Sequence, residues 1–284
     1  MIQLKTLENT DTATLTKAFN TAFSDYSVPM QISVEQLETK MHTEDIKPEY
    51  SVGAFEDNQL VAFILHGYKV CQGQPTLYNA GTGVIPDKRG NKLTFKLYEF
   101  ILPQLLQQGI KNVILEVITT NKPAICTYTK VGFTIVRELN CYKGHLIETN
   151  QKRDSHIVVL NDIDWNWATP FWDWEPTWQN SSKAMANAND ACIKLGAFEG
   201  DRGIGYLIFN PKSKRVHQLA VDKSYRNQGV ATQLLDYIRN QYGPEVSLIN
   251  VPVTATATLA FWERMGMQKT VSQYEMMLTE ESFS

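Results

Sequence analysis

The chain has 284 residues, of which 43% are hydrophobic and 20% charged, and its formal net charge is −3. This composition is ordinary for a globular protein with a full core, and the length suits two domains better than one. The small negative charge favours neither a nucleic acid nor an anionic membrane surface as a partner. No apolar run approaches the roughly 18 residues of a membrane span, and the first residues lack a signal-peptide pattern.

Cysteine and histidine are dispersed rather than clustered. There is no Cys-x-x-Cys spacing and no pair of histidines at a spacing typical of metal ligands. Scattered cysteines of this kind favour buried thiols in a reducing compartment over disulfides. We therefore expect a cytoplasmic protein without a metal site. The residues concerned are Cys71, Cys126, Cys141, Cys192, His42, His66, His145, His156 and His217.

The first half of the chain alternates between short β-rich runs and amphipathic segments. A capping cluster at 8–11 opens its first helix, a polar hairpin signal at 56–59 joins two strands, and Gly132 ends its last helix. The predicted strands are 2–7, 50–55, 60–70, 77–85, 112–118 and 133–142, and the predicted helices are 10–23, 34–41, 93–107 and 122–131.

The second half repeats this order after a polar stretch at 148–154, which reads as a linker. The sequence therefore predicts two domains, 1–147 and 155–284. The predicted strands of the second are 156–160, 191–198, 203–209, 216–221, 246–253 and 267–277, and the predicted helices are 175–189, 232–242 and 256–265.

Two short segments match between the halves, each at the same place in its series of elements. Tyr128-Thr129-Lys130-Val131-Gly132-Phe133 corresponds to Trp262-Glu263-Arg264-Met265-Gly266-Met267. Arg89-Gly90-Asn91-Lys92-Leu93-Thr94 corresponds to Arg226-Asn227-Gln228-Gly229-Val230-Ala231. A tandem repeat of one domain is the most economical interpretation.

The segment Arg226 to Ala231 lies between an apolar run and an amphipathic one, so it predicts a strand, a tight turn and a helix start. A helix start carries unpaired N–H groups and the positive end of the helix dipole, which suits a phosphate or pyrophosphate. Gly229 and the small Ala231 would let such an anion approach the backbone. An ordinary strand-to-helix turn is the alternative interpretation of the glycine alone.

With the strand Leu219-Ala220-Val221-Asp222 before it and the segment 261–267 after it, this turn resembles the acyl-CoA signature Arg/Gln-x-x-Gly-x-Gly/Ala of the GNAT superfamily of N-acetyltransferases. Each half of the chain resembles one domain of that superfamily. The resemblance implies an α/β (α+β) fold of two tandem GNAT domains, each with a mixed, mainly antiparallel sheet flanked by helices.

The resemblance also implies acetyl-CoA, or another acyl-CoA, as the acyl donor. In the family, the strand backbone pairs with the pantetheine arm and the N–H groups of the turn hold the pyrophosphate. Carried onto this sequence, the cofactor-binding residues are Leu219, Ala220, Val221, Arg226, Asn227, Gln228, Gly229, Val230, Ala231 and Thr232.

The two copies differ where the family's chemistry resides. Lys92 and Thr94 replace the small residues of the turn in the first half, which indicates a degenerate copy with a structural or acceptor-side role. That half keeps Asn121-Lys122-Pro123-Ala124, which matches the family's Asn-x-x-Ala, and Tyr128, where family members often carry a tyrosine that protonates the leaving thiolate. The second half has Ala255, Thr258 and Trp262 at these positions.

His217 is the candidate general base, because acetyl transfer needs a neutral amine. Its segment, 217–221, is similar to the strand of the arylalkylamine N-acetyltransferases, in which a histidine here takes part in proton removal. The alternative is a histidine bonded to a neighbour on a strand face. Backbone N–H groups near Leu219 and Ala220 could bind the thioester oxygen. The indole of Trp262 does not titrate, so the general acid has no candidate here.

Five of the six tryptophans lie within 165–178, which in the family borders the acceptor pocket. They predict either an aromatic pocket, with Asp164, Asp173 and Glu175 attracting a cationic amine, or packing between the two domains. The expected function is transfer of an acetyl group from acetyl-CoA to the amine of a small molecule or peptide by a monomer or homodimer. A non-catalytic acyl-CoA sensor or scaffold on the same fold is the alternative.

Overall fold

The computed structural model of the chain describes residues 1–25, 31–149, 153 and 155–283. These residues form two compact units. The first contains Met1–Arg137 together with Tyr274–Ser284, and the second contains Glu138–Gln273. Of the predicted linker at 148–154, residues 150–152 and 154 lie outside the described residues.

The first unit is a mixed sheet with helices on it. Its sheet order is β1-β2-β3-β4-β5, followed by the end of β12 and the start of β6. Pairing is antiparallel from β1 to β4 and parallel between β4 and β5. The elements are β1 (Ile2–Thr6), α1 (Thr12–Ala22), α2 (Val34–Thr43), β2 (Val52–Glu56), β3 (Gln59–Cys71), β4 (Gln74–Val84), α3 (Leu93–Gln107), β5 (Asn112–Ile118), α4 (Lys122–Val131), β6 (Thr134–His145) and β12 (Met267–Thr279).

The second unit repeats this plan. Its sheet order is β7-β8-β9-β10-β11, followed by the end of β6 and the start of β12. Pairing is antiparallel from β7 to β10 and parallel between β10 and β11. The further elements are β7 (His156–Leu160), α5 (Trp165–Ala168), α6 (Ser182–Asn187), β8 (Ile193–Glu199), β9 (Arg202–Asn210), β10 (Arg215–Val221), α7 (Val230–Tyr242), β11 (Glu245–Pro252) and α8 (Thr256–Arg264).

Two stretches of chain lie in one half of the sequence but belong to the unit that the other half forms. Residues 138–147 lie in the second unit, where β6 pairs with β11 in antiparallel register from Leu139 to His145. Residues 274–284 lie in the first unit, where Met276 and Leu278 are part of the apolar core and Glu275 accepts both guanidinium hydrogen bonds of Arg137 at 2.6 and 2.7 Å. The first unit is therefore completed by a segment remote in sequence, whereas the second unit is continuous from 138 to 273.

Local sequence explains most helix boundaries. The Asp11 carboxylate accepts from the Thr14 N–H at the start of α1, and Ser33 and Gln36 form a capping box at the start of α2. Asn121 caps α4, which ends at Gly132 with φ 115°. The predicted mixed, mainly antiparallel sheets with flanking helices are confirmed in both units.

One predicted helix, 175–189, is wrong. The structure has a 3₁₀ turn at Trp178–Asn180, a new N-cap at Ser181 and only the short helix α6. Pro176 and the buried side chains of Trp178 and Asn180 explain the difference, because tertiary contacts hold this segment in an irregular path against the sheet.

Candidate active site

The strands β10 and β11 part soon after they meet, and a cavity opens between them. Their parallel pairing is limited to Arg215 opposite Ser247, after which each strand continues without the other. A cavity of about 430 Å³ lies in this gap, lined by residues 216–221 of β10 and 248–251 of β11. On its other side β10 remains paired with β9 up to Val221, so only one backbone edge of β10 faces the cavity.

The glycine turn borders the same cavity. Asn227 and Gly229 both adopt left-handed backbone conformations, with φ of 59° and 86°. Gly229 is the N-cap of α7, and no side chain caps the first turn of that helix. The N-terminus of α7, with its macrodipole and unpaired donors, thus opens onto the space beside β10.

Most of the sequence-predicted residues are brought together by this geometry. The cavity lining includes His217 and these predicted cofactor-binding residues: Leu219, Ala220, Val221, Arg226, Asn227, Gly229, Val230, Ala231 and Thr232. Gln228 is not among the lining residues. Its side-chain amide donates to the Ser224 carbonyl at 2.9 Å and accepts from Arg153 at 2.7 Å.

The Arg226 guanidinium makes three hydrogen bonds to neighbouring residues. Its Nε donates to the Val221 carbonyl at 3.2 Å, Nη1 to the Asp173 carboxylate at 3.0 Å and Nη2 to the Phe171 carbonyl at 3.0 Å. The guanidinium therefore ties the turn to the segment 171–173. Asp173 is occupied by this ion pair, which leaves it poorly placed to attract a cationic amine.

The first unit contains the same turn with different residues. Gly90 and Lys92 take the left-handed conformations of Asn227 and Gly229, with φ of 79° and 57°, and Lys92 is the N-cap of α3. Arg89 repeats the pattern of Arg226, donating to the Val84 carbonyl, the Asp25 carboxylate and the Ala22 carbonyl. The backbone of the turn is thus common to both units, while a glycine at the helix N-cap is present only in the second.

His217 occupies a β-bulge in β10. Val216 and Gln218 pair with consecutive residues of β9, so His217 is the extra residue between them. Its Nδ1 lies 3.1 Å from the Asn180 side-chain oxygen. Burial, with a smaller contribution from the positive charge of Arg215, lowers the pKa of His217 to about 3. The imidazole is therefore neutral at physiological pH.

A chain of hydrogen-bonded polar side chains leads to His217, and the sequence did not reveal it. The Trp172 indole N–H donates to the Tyr206 hydroxyl at 2.5 Å, and this hydroxyl donates to the Gln218 amide oxygen at 2.5 Å. The Gln218 amide nitrogen donates to the Asn180 carbonyl at 2.5 Å. Burial raises the pKa of Tyr206, so its hydroxyl stays protonated. The only sequence signal was a polar Gln218 within an apolar strand.

The first unit has the same bulge without these groups. There Leu65 and His66 of β3 pair with Gly81 and Asn79 of β4, which leaves Ala80 at the position of His217. By the same register, Gly81 corresponds to Gln218 and Phe63 to Tyr206. The ring of Phe63 packs against Gly83, where an added Cβ would lie 2.5 Å from it.

The position of the family's tyrosine is also different in the two units. Trp262 is buried in the second unit and lines the cavity. Tyr128 of the first unit is buried in an aromatic cluster with Tyr98 and Phe133, at ring-centroid distances of 6.3 and 5.7 Å. At the start of the neighbouring helices, Asn121 caps α4, whereas Ala255 offers α8 no side-chain cap.

The tryptophans of 165–178 divide between the cavity and the core of the second unit. Trp172 and Trp174 line the cavity. Trp167 stacks on Phe198 and donates to the Gly203 carbonyl at 3.1 Å, and Trp178 is buried. Of the carboxylates beside them, Asp164 caps α5, and neither Asp164 nor Glu175 is among the lining residues.

Within 1–25, 31–149, 153 and 155–283, no three His, Cys, Asp or Glu side chains are grouped so that they could hold a metal ion. None of the helices in those ranges combines the length and apolar character required to cross a membrane.

The sequence profile described as acetyltransferase (GNAT) family matches the chain twice, over residues 14–133 and 160–267. No curated protein has a significant sequence match. Among solved structures, a tandem GNAT protein from the clavulanic acid biosynthesis pathway is similar at a TM-score of 0.71, with 10% identity and 98% of both chains covered.

A GCN5-related N-acetyltransferase from Sphaerobacter thermophilus is similar at a TM-score of 0.70, with 14% identity over 98% of this chain and 95% of that chain. A second GCN5-related N-acetyltransferase, from Anabaena variabilis, is similar at 0.63, with 14% identity over 98% and 72%. At these identities the structures bear on the fold, whereas the two profile matches cover most of the sequence. The chain therefore belongs to the acetyltransferase (GNAT) family, and it is a tandem member of it.

Proposed function

We propose that the chain is an N-acetyltransferase that moves an acetyl group from acetyl-CoA to the amine of a small molecule or peptide, and that it works through its second half. One observation carries the proposal. The cavity between β10 and β11 is lined both by a glycine-capped helix N-terminus and by a histidine. The first unit then serves as a structural or acceptor-side domain.

The residues of the cavity fit acetyl-CoA, which supplies an acetyl group activated as a thioester. On the edge of β10 that faces away from β9, Leu219 and Val221 offer backbone groups to the amide-containing arm of the cofactor, apart from the Val221 carbonyl, which accepts from Arg226. Gly229 and the first N–H groups of α7 offer a pocket for its pyrophosphate. Backbone N–H groups at Leu219 and Ala220 are the candidate donors to the thioester oxygen.

His217 is proposed to accept the proton that the acceptor nitrogen loses as its new bond forms. With a pKa of about 3 the imidazole is always unprotonated near neutral pH, so it is ready to accept. The same pKa makes it too weak to deprotonate an alkylammonium ion in advance. The acceptor amine must therefore enter the cavity already neutral, or lose its proton to solvent.

The experiment is thiol release from acetyl-CoA in the presence of amines, polyamines, aminoglycosides and peptides. An N-acetyltransferase releases thiol with at least one acceptor class and forms the matching acetylated product. Matched variants are Gly229→Glu, which should abolish release, and Lys92→Glu at the corresponding position of the first unit, which should retain it.

The alternative function is a sensor or scaffold that binds acyl-CoA without transferring the acetyl group. Trp262 and Ala255 favour it, since they replace the family's tyrosine and asparagine. Saturable binding of acetyl-CoA with no acceptor-dependent thiol release across the whole panel would support this alternative and refute the enzyme.

A further inference from the structure

We propose that Asn180 is a positioning residue for His217, which holds the imidazole with its proton on Nδ1 and leaves Nε2 as the proton acceptor in the cavity. This inference rests on the proposed function, because it assigns a role within the same site. Asn180 lies in the 3₁₀ turn Trp178–Asn180, far from His217 in sequence, and is 5% exposed.

The tautomer follows from the partners of the Asn180 amide. Its Nδ2 donates to the Ile249 carbonyl at 3.1 Å, and a carbonyl can only accept. The nitrogen of the amide must therefore face Ile249, and the oxygen must face His217. Because an amide oxygen also only accepts, the His217 Nδ1 at 3.1 Å carries the hydrogen. In the neutral ring, Nε2 then has the free lone pair.

The backbone of Asn180 is held by the other end of the same network. The Trp172 indole has a hydrogen to donate and no lone pair to accept with, so the hydroxyl of Tyr206 must direct its own hydrogen to Gln218. This orients the Gln218 amide so that its nitrogen donates to the Asn180 carbonyl. Every donor and acceptor from Trp172 to His217 therefore has one permitted arrangement.

The first unit shows that the fold does not require this network. Phe63, Ala80 and Gly81 occupy the positions of Tyr206, His217 and Gln218 around an equivalent bulge, and β3 and β4 pair in the same way. Burying polar groups costs free energy unless they are hydrogen bonded, and in the first unit Phe63 occupies the position of Tyr206 without a hydroxyl. The bulge itself therefore does not require the polar set of the second unit.

Nε2 of His217 is available in the cavity. Among the described residues, no hydrogen bond is made to this atom, and it is not among the fully buried atoms without a partner. The charged groups that line the cavity with it are Asp173, Arg226 and Arg264, and Arg215 lies two residues away on β10. Asp173 is paired with Arg226. The hydrogen-bond network that includes Asn180 is therefore the nearest group that can orient the imidazole ring of His217.

The first test needs no turnover. Long-range ¹H–¹⁵N spectra of histidine-labelled protein report which ring nitrogen carries hydrogen, and His217→Gln assigns the signal. The proposal expects the Nδ1–H form in the unaltered protein and a mixture of tautomers in Asn180→Ala. An Nε2–H form in the unaltered protein, or no change in Asn180→Ala, would overturn it.

The second test is a double-mutant cycle on kcat. Asn180→Ala should lower kcat about 10-fold or more, yet have no further effect in a His217→Ala background, because it acts through the histidine. Equal losses in both backgrounds would mean that Asn180 has only a structural role. Asn180→Asp should move the acid limb of the kcat/KM profile to higher pH, because a carboxylate stabilises the imidazolium.

Asn140→Ala is the matched control. Asn140 is a buried amide of the second unit that accepts from the Ser272 hydroxyl at 2.9 Å and does not line the cavity. Its variant should leave the His217 spectrum unchanged. If no acceptor supports thiol release, the proposed function fails while the ring-nitrogen spectra still decide the tautomer, so the two failures are distinguishable.

Discussion

Gly229 and Lys92 stand at corresponding positions of two copies of one turn, and both adopt the left-handed conformation. A side chain at this position costs about 1 kcal/mol relative to glycine, and the first unit shows that the fold accommodates it. The difference between the copies is therefore in the space that the side chain occupies. At position 229 that space is part of the cavity beside β10.

Gly229→Lys tests this difference directly. We expect a folded protein, destabilised by about 1 kcal/mol, whose affinity for acetyl-CoA falls at least 10-fold because the side chain occupies the pyrophosphate space. Thermal unfolding and calorimetric titration measure the two effects. Lys92→Gly is the reciprocal control and should bind acetyl-CoA as the unaltered protein does. Undiminished binding by the lysine variant at 229 would refute the assignment of the turn.

His217→Ala should lower the rate of acetyl transfer by about 10², the usual scale for loss of a general base. Because the pKa of His217 is lowered to about 3, the unaltered enzyme should have no histidine limb in its rate between pH 5 and 8. Steady-state kinetics over that range measure both. An unchanged rate in the variant would remove His217 from the mechanism.

His66 gives the first unit a sensitivity to acid. It is fully buried, its Nδ1 contacts the Tyr50 carbonyl at 2.8 Å, and burial lowers its pKa from 6.5 to about 4. As pH falls, the unfolded chain binds a proton at His66 at a higher pH than the folded chain does. The contribution of His66 to the free energy of unfolding is therefore fully present above pH 6.5 and is lost as pH falls towards 4.

Between pH 6.5 and 4, protonation linked to His66 should lower the free energy of unfolding of the unaltered protein by on the order of 3 kcal/mol. We expect His66→Gln to remove this loss. Urea unfolding at a series of pH values measures it. Glu116 contributes in the opposite direction, because burial raises its pKa to about 7 and stability is lost as pH rises from 4.5 through 7. A variant that keeps the full acid dependence of the unaltered protein would contradict the role of His66.

At the level of elements, an arginine joins each turn to a segment after the first strand of its unit. Arg226 reaches Phe171 and Asp173, and Arg89 reaches Ala22 and Asp25. The ion pairs are largely exposed and contribute little, whereas the bonds to backbone carbonyls are partly buried. Each arginine therefore holds the segment that it contacts against the N-terminus of a helix.

Arg226→Met should therefore loosen 169–178 while costing roughly 1 kcal/mol of stability. Hydrogen exchange should become faster in that segment, and KM for the acceptor should rise more than KM for acetyl-CoA. Arg89→Met is the matched variant, with faster exchange around 22–25 and unaltered kinetics. If hydrogen exchange in 169–178 were equally fast in Arg226→Met and in the unaltered protein, the role of Arg226 in joining the turn to this segment would be contradicted.

Sequence patterns predicted elements well where local signals were strong. Helices α3 and α4 and strands β5 and β7 begin and end at the predicted residues, because caps, Pro123 and Gly132 act locally. The path of 175–189 depends on burial of Trp178 and Asn180, which no local pattern encodes. The glycine turn was predictable for the same reason as the helices, whereas the network around His217 joins residues that only folding brings together.

At the level of the whole molecule, the C-terminal segment 274–284 is part of the first unit. Leu278 is fully buried in its core, beside residues of α3 and β5, although the sequence places it at the end of the second repeat. Nothing in its alternating pattern distinguishes the two locations, because a strand of either copy would have the same periodicity.

Leu278→Ala should destabilise the first unit by about 2–5 kcal/mol through the cavity it leaves. Hydrogen exchange should rise in peptides from 1–137 and stay unchanged in peptides from 153–250. Leu248→Ala, a truncation of a leucine buried in the core of the second unit, is the control with the reverse pattern. If the Leu278→Ala variant lost protection from hydrogen exchange only in its second unit, the assignment of Leu278 to the first unit would be refuted.

The ribosome makes the chain in an order that delays closure of the first unit. Residues 138–273 form the second unit without a break, so all of its strands are available before residues 274–284 are made. The first 137 residues wait until residues 274–284 have been made, since Met276 and Leu278 complete their core. Domains usually fold from the N-terminus onwards during translation. Here the second unit can fold first, and a chain that stops at residue 273 leaves the first unit with an open edge for chaperones to recognise.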